Sequence, residues 1–583
     1  MNEVGAKEND KQNKKENAVV DIEFHIGVFF DGTNNNANTN EWLDWFKPTS
    51  IVEKNHALKN TIQFGDVSKE EQLLVVPTKY RKNSNPAILS SLYYTKASSN
   101  SKEKNESKDK FLHVYIEGSG ANGFQAENKL VDFIINGKAV KGLGFGVGST
   151  GVVAKVSKAI EYINQRVKKE ENNNSTEIKH IHFYVFGFSR GSACARLFSY
   201  IVARDAGDEV GTLKKDEGGL IKKNAEKEFK KYLPHKFFKN GKVSFLSDYN
   251  GKMDVDFLGI YDTVSAIGFL KEEDINKEGD GHVNSLRYLF LSDSDFWDNF
   301  HRENVDCYGL YSPTLSHVKS TCHICALDEF RANFALTDIG DAANNKENIE
   351  LFIPGCHSDI GGGYTESDDV ERKTIKFYDD KLPTRMCIHH PTNKGNIKWE
   401  KLSSNLNVLK KLGWVDESCS EVGNIKEIEK GEADKVDIDH NPQQRNQYSN
   451  IPLMFMYERA KHKIPNFETL FENYPRDIFP LPKNATLKSM WTDLKGRVGS
   501  SGRQFYLIGG DYSSREYQQI RQKYLHFTST DTLHSFGDPG NPPGRKVEAD
   551  NATGEKCSDI CRLVYRGNKG DRAVHYMQDY GTE

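Results

Sequence analysis

Five short runs of β-branched and aromatic residues, each closing on a chemically useful side chain or a glycine turn, constrain this chain more than any other feature. Residues 22–30 run into Asp31-Gly32-Thr33, and residues 111–116 into Glu117-Gly118-Ser119-Gly120. Residues 181–186 run into Gly187-Phe188-Ser189-Arg190-Gly191, residues 255–261 into Asp262-Thr263, and residues 349–353 into Pro354-Gly355-Cys356-His357. Such short apolar runs with Gly or Asp punctuation predict buried strands. Helical patterns fall between them. Residues 152–167 place Val152, Val156, Ile160 and Ile163 on one face, residues 192–202 follow the third run, and residues 322–334 read as a helix before the fifth. Alternating strand and helix predict an α/β fold: a mostly parallel sheet covered by helices on both faces. In such sheets the reactive groups gather at the carboxyl ends of the strands, where Ser189, Asp262 and His357 all fall.

At 583 residues the chain is long enough for a large core and several domains. Lys and Arg number 79 against 83 Asp and Glu, a net charge of −4, so the basic excess of a nucleic-acid binder is missing. Nine scattered cysteines do not form a disulfide framework. The close pairs Cys322/Cys325 and Cys557/Cys561 are too far apart in sequence to favour a shared zinc site, so buried free thiols and no metal are expected. Residues 1–17 lack the apolar core of a signal peptide, and no run of 18 apolar residues is present. The expected layout is a disordered tail over 1–20, a catalytic domain over 21–370 with polar insertions, and an accessory region over 371–583. Residues 98–110 and 168–177 read as solvated loops, and 214–242 as a lysine-rich excursion with a helical part. The apolar stretch at 451–457, with Arg459, Lys461 and Lys463 after it, has two readings: a helix packed on the sheet, or one lying in a lipid head-group layer.

Gly187-Phe188-Ser189-Arg190-Gly191 fits G-x-S-x-G between strand and helix, a turn that projects a serine hydroxyl above a sheet. That hydroxyl becomes nucleophilic only when a histidine takes its proton and a carboxylate orients the histidine. Asp262 and His357 follow in the order Ser, acid, His that α/β-hydrolases use. An Asp-Thr helix cap and a turn histidine beside Gly361-Gly362-Gly363 are the plain alternatives. His323 is a rival base, placed by sequence inside a helix. Asp31 and Glu117 also end strands, to orient a neighbour or cap a loop. The backbone N–H of Arg190 is one expected oxyanion donor and that of Gly32 a second. Gly146-Val147-Gly148-Ser149-Thr150-Gly151 fits G-x-G-x-x-G, but a poor preceding strand and no acidic residue at the required distance argue for a loop at the rim of the site.

Taken together, Phe30-Asp31-Gly32-Thr33-Asn34, Gly187-Phe188-Ser189-Arg190-Gly191, Tyr261-Asp262-Thr263-Val264 and the eleven residues from Pro354 to Tyr364 (PGCHSDIGGGY) resemble an α/β-hydrolase family. That family includes the type VI secretion lipase effectors of the first class. The resemblance covers about residues 22–370. It implies an antibacterial phospholipase A with Ser189 as nucleophile, Asp262 as acid and His357 as base, and no cofactor. It also implies the phospholipid membrane of a target cell as substrate, a spike carrier of the VgrG type and a cognate immunity protein. Synthesis in the bacterial cytoplasm without a signal peptide, and injection into a target-cell envelope, follow from the same resemblance. The long insertions at 34–110 and 207–247 depart from it. A docking protein that keeps the fold without the chemistry, or an esterase of small soluble esters, are the other readings.

Overall fold

In a computed structural model all five runs are strands of one sheet, and two further strands complete it. The structure describes residues 20–33, 35, 84–100, 109–119, 148–171, 176–203, 227–233, 252–265, 312–329, 334–363, 446–465, 485–510 and 514–525, with shorter pieces between and beyond. In chain order the main elements are β1 (Val20–Phe30), α1 (Asn85–Asn100), β2 (Lys110–Ile116), α2 (Val152–Glu171) and β3 (Thr176–Phe188). Then come α3 (Arg190–Ala203), β4 (Lys252–Tyr261), β5 (Thr321–Ala326), β6 (Ile349–Ile353) and α4 (His357–Gly361). Past residue 370 lie α5 (Asn450–Ala460), α6 (Ala485–Arg497), β7 (Gly502–Phe505) and α7 (Arg515–Tyr524). The sheet order is β7-β6-β5-β4-β3-β1-β2, and every pairing is parallel.

A parallel sheet must be covered on both faces, because its strands are apolar on both. Ile26, Val28 and Phe30 of β1, with Phe183 and Val185 of β3, face α2 and α3. All four α2 residues read from sequence as one face, Val152, Val156, Ile160 and Ile163, are buried there. The alternate residues Phe29, Tyr184, Phe186 and Phe257 face Tyr93 of α1, Met456 of α5 and Trp491 of α6. Half of the sheet's cover therefore comes from outside the tidy strand–helix alternation.

Several expectations are corrected. Residues 322–334 do not begin as a helix; Thr321–Ala326 is a central strand with every residue buried. A strand buried on both faces has no alternation to distinguish it from a buried helix segment. Within the polar insertion at 34–110, α1 begins at Asn85, is capped by the Ser84 hydroxyl accepting from Ala87 N–H at 3.3 Å, and buries Ile88, Leu89, Leu92 and Tyr93. Of the expected loop at 168–177, residues 168–171 are the end of α2 and residues 176–177 the start of β3, while 172–175 lie outside the described residues. At 451–457 every residue is buried, Leu453 and Phe455 included, so this helix packs on the sheet. Residues 1–19, 204–226, 364–384 and Cys557 lie outside the described residues.

Candidate active site

The turn after β3 is built for close approach. A methyl group on Gly187 would lie 2.4 Å from the Gly191 carbonyl oxygen, and one on Gly191 would lie 2.3 Å from the Asp31 carbonyl oxygen. Only glycine lets strand, helix and the neighbouring β1 loop meet here. Ser189 sits between them at φ 59°, in the left-handed region. Its N–H donates to the Tyr261 carbonyl at 3.0 Å, and its carbonyl accepts from Ser192 N–H at 3.0 Å. Arg190 opens α3, so its N–H belongs to the first turn, whose N–H groups have no intrahelical acceptor. The Arg190 side chain is buried and donates from Nε to Thr33 Oγ1 at 2.9 Å, which ties the serine turn to the β1 loop. Burial pushes this guanidinium down to about 10, against a small upward pull from Cys194.

Asp262, directly after β4, also has a left-handed φ, 41°. Its Oδ1 accepts from Ala326 N–H at 2.8 Å and its Oδ2 lies 2.6 Å from His357 Nδ1. An ionised carboxylate only accepts, so His357 Nδ1 carries the proton and Nε2 is left as the basic nitrogen. The imidazole is held between Phe188, with ring centroids 4.6 Å apart, and Phe334, edge-on at 4.9 Å. Phe188 is the residue before Ser189, so this contact sets the ring beside the serine turn. His357 N–H donates to Glu329 Oε2 at 3.3 Å.

The loop before His357 is anchored by distant parts of the chain. Gly355 N–H donates to Asp328 Oδ2 at 2.7 Å, and Tyr517 of α7 donates to the same oxygen at 3.0 Å. Tyr448 donates to the Pro354 carbonyl at 2.6 Å. Asn85 of α1 bridges the Ile360 and Ser449 carbonyls at 2.8 and 3.0 Å. None of these partners carries a sequence signal of its own, because each acts through a contact with residues remote in the chain.

His323 does not face solvent. Its Nε2 accepts from Thr263 N–H at 3.2 Å, which fixes the proton on Nδ1, where it is donated to Glu350 Oε1 at 2.9 Å. Burial pushes its pKa down, outweighing the upward pull of Glu350. With both nitrogens engaged, His323 supports the Asp262-Thr263 turn. Gly32, expected as an oxyanion donor, instead gives its N–H to Asp31 Oδ1 at 2.7 Å. Asp31 is buried and also accepts from Ser84 at 2.5 Å and from Tyr115. Burial raises its pKa despite these three donors. Glu117, directly after β2, is in an ion pair with Lys155 (2.6 Å) and Lys158 (2.8 Å) of α2. Gly148–Thr150 is a 3-10 turn leading into that helix. Cys322 and Cys325 are buried free thiols, as are Cys194 and Cys356.

The family model for the catalytic domain of type VI secretion (T6SS) phospholipase effectors of the Tle1-like kind matches residues 25–379, well over half of the chain. The chain belongs to this family. Two solved structures are similar to this Tle1-like chain. One is the Tle1 effector bound to the VgrG spike of the type VI secretion system, at 20% identity over 88% of this chain and 85% of that one, TM-score 0.44. The other is an uncharacterised protein from Pseudomonas aeruginosa, at 16% identity over 82% and 51%, TM-score 0.30. No curated protein matches the chain. Among the described residues of this Tle1-like chain, no helix is long and apolar enough to cross a membrane.

Proposed function

We propose that this Tle1-like effector is a phospholipase of the A type, cleaving acyl esters of glycerophospholipids by a Ser189–His357–Asp262 mechanism. The observation that carries the reading is the 2.6 Å contact between His357 Nδ1 and Asp262 Oδ2, made beside a serine on a left-handed turn. Ser189 Oγ attacks the ester carbonyl carbon as its proton passes to His357 Nε2. The carbonyl oxygen becomes an oxyanion, with Arg190 N–H as one donor. Collapse breaks the acyl–oxygen bond, and the lysophospholipid leaves with the proton held by His357. Water, deprotonated by His357, then attacks the acyl-enzyme and releases fatty acid. Buried Asp262 stays ionised and balances the imidazolium throughout.

A second oxyanion donor from Gly32 requires its N–H to leave Asp31, so the β1 loop has to shift when substrate binds. The membership in type VI effectors supports a spike carrier such as VgrG, a cognate immunity protein and a target-cell membrane as substrate. The test is fatty-acid release from phosphatidylethanolamine and phosphatidylglycerol vesicles carrying different acyl chains at sn-1 and sn-2. Wild type is expected to release one chain preferentially, and Ser189→Ala to lose at least about 10⁴-fold in rate with an unchanged melting curve. Equal release by Ser189→Ala refutes the mechanism; hydrolysis of short soluble esters alone makes the protein an esterase.

A further inference from the structure

The amino ends of the central strands carry a polar corner that the hydrolysis does not use. On the sheet face that also bears Tyr184 and Phe186, β1 presents Glu23 and His25, and β3 presents His180 and His182. The register sets Glu23 beside His180 and His25 beside His182. His182 precedes Ser189 by seven residues, about 23 Å along the strand at roughly 3.3 Å per residue. The corner is therefore remote from the candidate active site.

Each β3 imidazole is held from behind by a carboxylate of β4. His182 Nδ1 lies 2.6 Å from Asp256 Oδ2, and His180 Nε2 lies 2.9 Å from Asp254 Oδ2. Lys319 stands 2.8 Å from Asp254 and 2.6 Å from Asp256, which keeps both carboxylates ionised. A carboxylate takes the proton-bearing nitrogen of each ring, so the lone pairs are left on His180 Nδ1 and His182 Nε2. His182 Nε2 is buried and makes no hydrogen bond, and the Glu23 carboxylate lies 3.5 Å away. Two acceptors facing each other repel unless something positive lies between them. A tetrahedral metal with N and O ligands at roughly 2.0–2.1 Å sets such ligand atoms about 3.3 Å apart, close to this gap. Glu23, His180 and His182 each offer a ligand atom, all within 4.8 Å of one another.

We propose that Glu23, His180 and His182 bind a divalent transition ion of the zinc class, with Asp254 and Asp256 orienting the imidazoles. His-x-His on a strand aims both rings at one face, and the carboxylate–imidazole pairs behind them are the usual outer shell of such a site. His25 is stacked on His182 at 4.8 Å, and with Asp109 it forms a neighbouring group that shares Glu23. The ion would pin β1 to β3 near the amino ends of the two strands. The fully buried group of this kind, His323, Cys325 and Glu350, does not qualify: both His323 nitrogens are engaged and Arg503 Nε holds Glu350 at 2.6 Å.

Full-length, tag-free protein stripped with chelator and titrated with zinc decides the matter. One equivalent bound with micromolar or tighter affinity, surviving gel filtration and raising the melting temperature, is expected. Glu23→Gln and His180→Gln should each weaken binding at least tenfold, and Asp256→Asn about 10–100-fold. Ser189→Ala should bind as wild type does, so failure of the hydrolytic reading leaves this result untouched. No bound equivalent overturns the proposal. So does unchanged binding by Glu23→Gln, whose side chain is 55% exposed and whose fold is not at risk.

Discussion

Ser189 and Asp262 are the two non-glycine residues with positive φ among those described. A left-handed backbone costs a side-chain-bearing residue roughly 1–2 kcal/mol, and such strain persists only where the surroundings enforce it. Here the enforcement is visible: Ser189 N–H is tied to the Tyr261 carbonyl, and Asp262 N–H to the Ile324 carbonyl at 2.8 Å. On the proposed mechanism, Asp262→Asn keeps an acceptor for Ala326 N–H but loses the charge that balances the imidazolium. Its turnover should fall about 10⁴-fold while its melting temperature stays within about 2 °C of wild type. His323 gives a stability prediction with a definite sign. Burial holds its folded-state pKa below the ordinary 6.5, so the unfolded chain takes up the proton first. That contribution is complete above pH 6.5 and is lost as pH falls below it. Urea midpoints measured from pH 7 to pH 5 should decline, and His323→Gln should flatten the decline.

At the scale of elements, the short helix α4 has to dock against the serine turn. A methyl group on Gly361 would lie 2.0 Å from the Phe188 ring, which is itself packed against His357 with ring centroids 4.6 Å apart. Gly361→Ala should cost about 1–3 kcal/mol in chemical unfolding and at least tenfold in turnover, because the displaced ring moves the base. The β2–α2 junction rests on charge. Burial alone would push Glu117 up, but Lys155 and Lys158 pull it down to about 2. Its folded pKa lies below the ordinary 4.5, so its stabilisation is present above that pH and is lost as pH falls from 4.5 towards 2. Glu117→Gln leaves Lys155 buried without its counter-charge, at a cost of about 3 kcal/mol at pH 7. Thermal unfolding of the variant beside wild type checks this.

For the whole molecule, the region past residue 370 supplies an edge strand, β7, and cover for one sheet face through α5, α6 and α7. It also supplies Tyr448 and Tyr517, which hold the loop carrying His357. A chain ending at residue 380 keeps Ser189, Asp262 and His357 yet exposes Phe257, Ile324 and Leu351 to water. It is expected to be insoluble and inactive when expressed beside the full-length protein. Recovery of a soluble, active fragment would show that the sheet needs no cover from this region.

Local pattern carried much of this. Short β-branched runs, helical periodicity and the glycine-flanked serine made the parallel sheet and the Ser, Asp, His candidates legible, because strand period and turn chemistry depend on residues adjacent in the chain. Thr321–Ala326 was illegible for the opposite reason: a strand buried on both faces loses its alternation. The helix α1 was hidden in a polar insertion whose composition outweighed its buried apolar residues, Ile88, Leu89, Leu92 and Tyr93 among them. The pairing of His357 with Asp262, the capture of Gly32 N–H by Asp31, and the alignment of His180 and His182 with Glu23 were decided by register and packing alone. Each joins residues from different strands or loops, and hydrogen-bond geometry between them exists only once the sheet has formed.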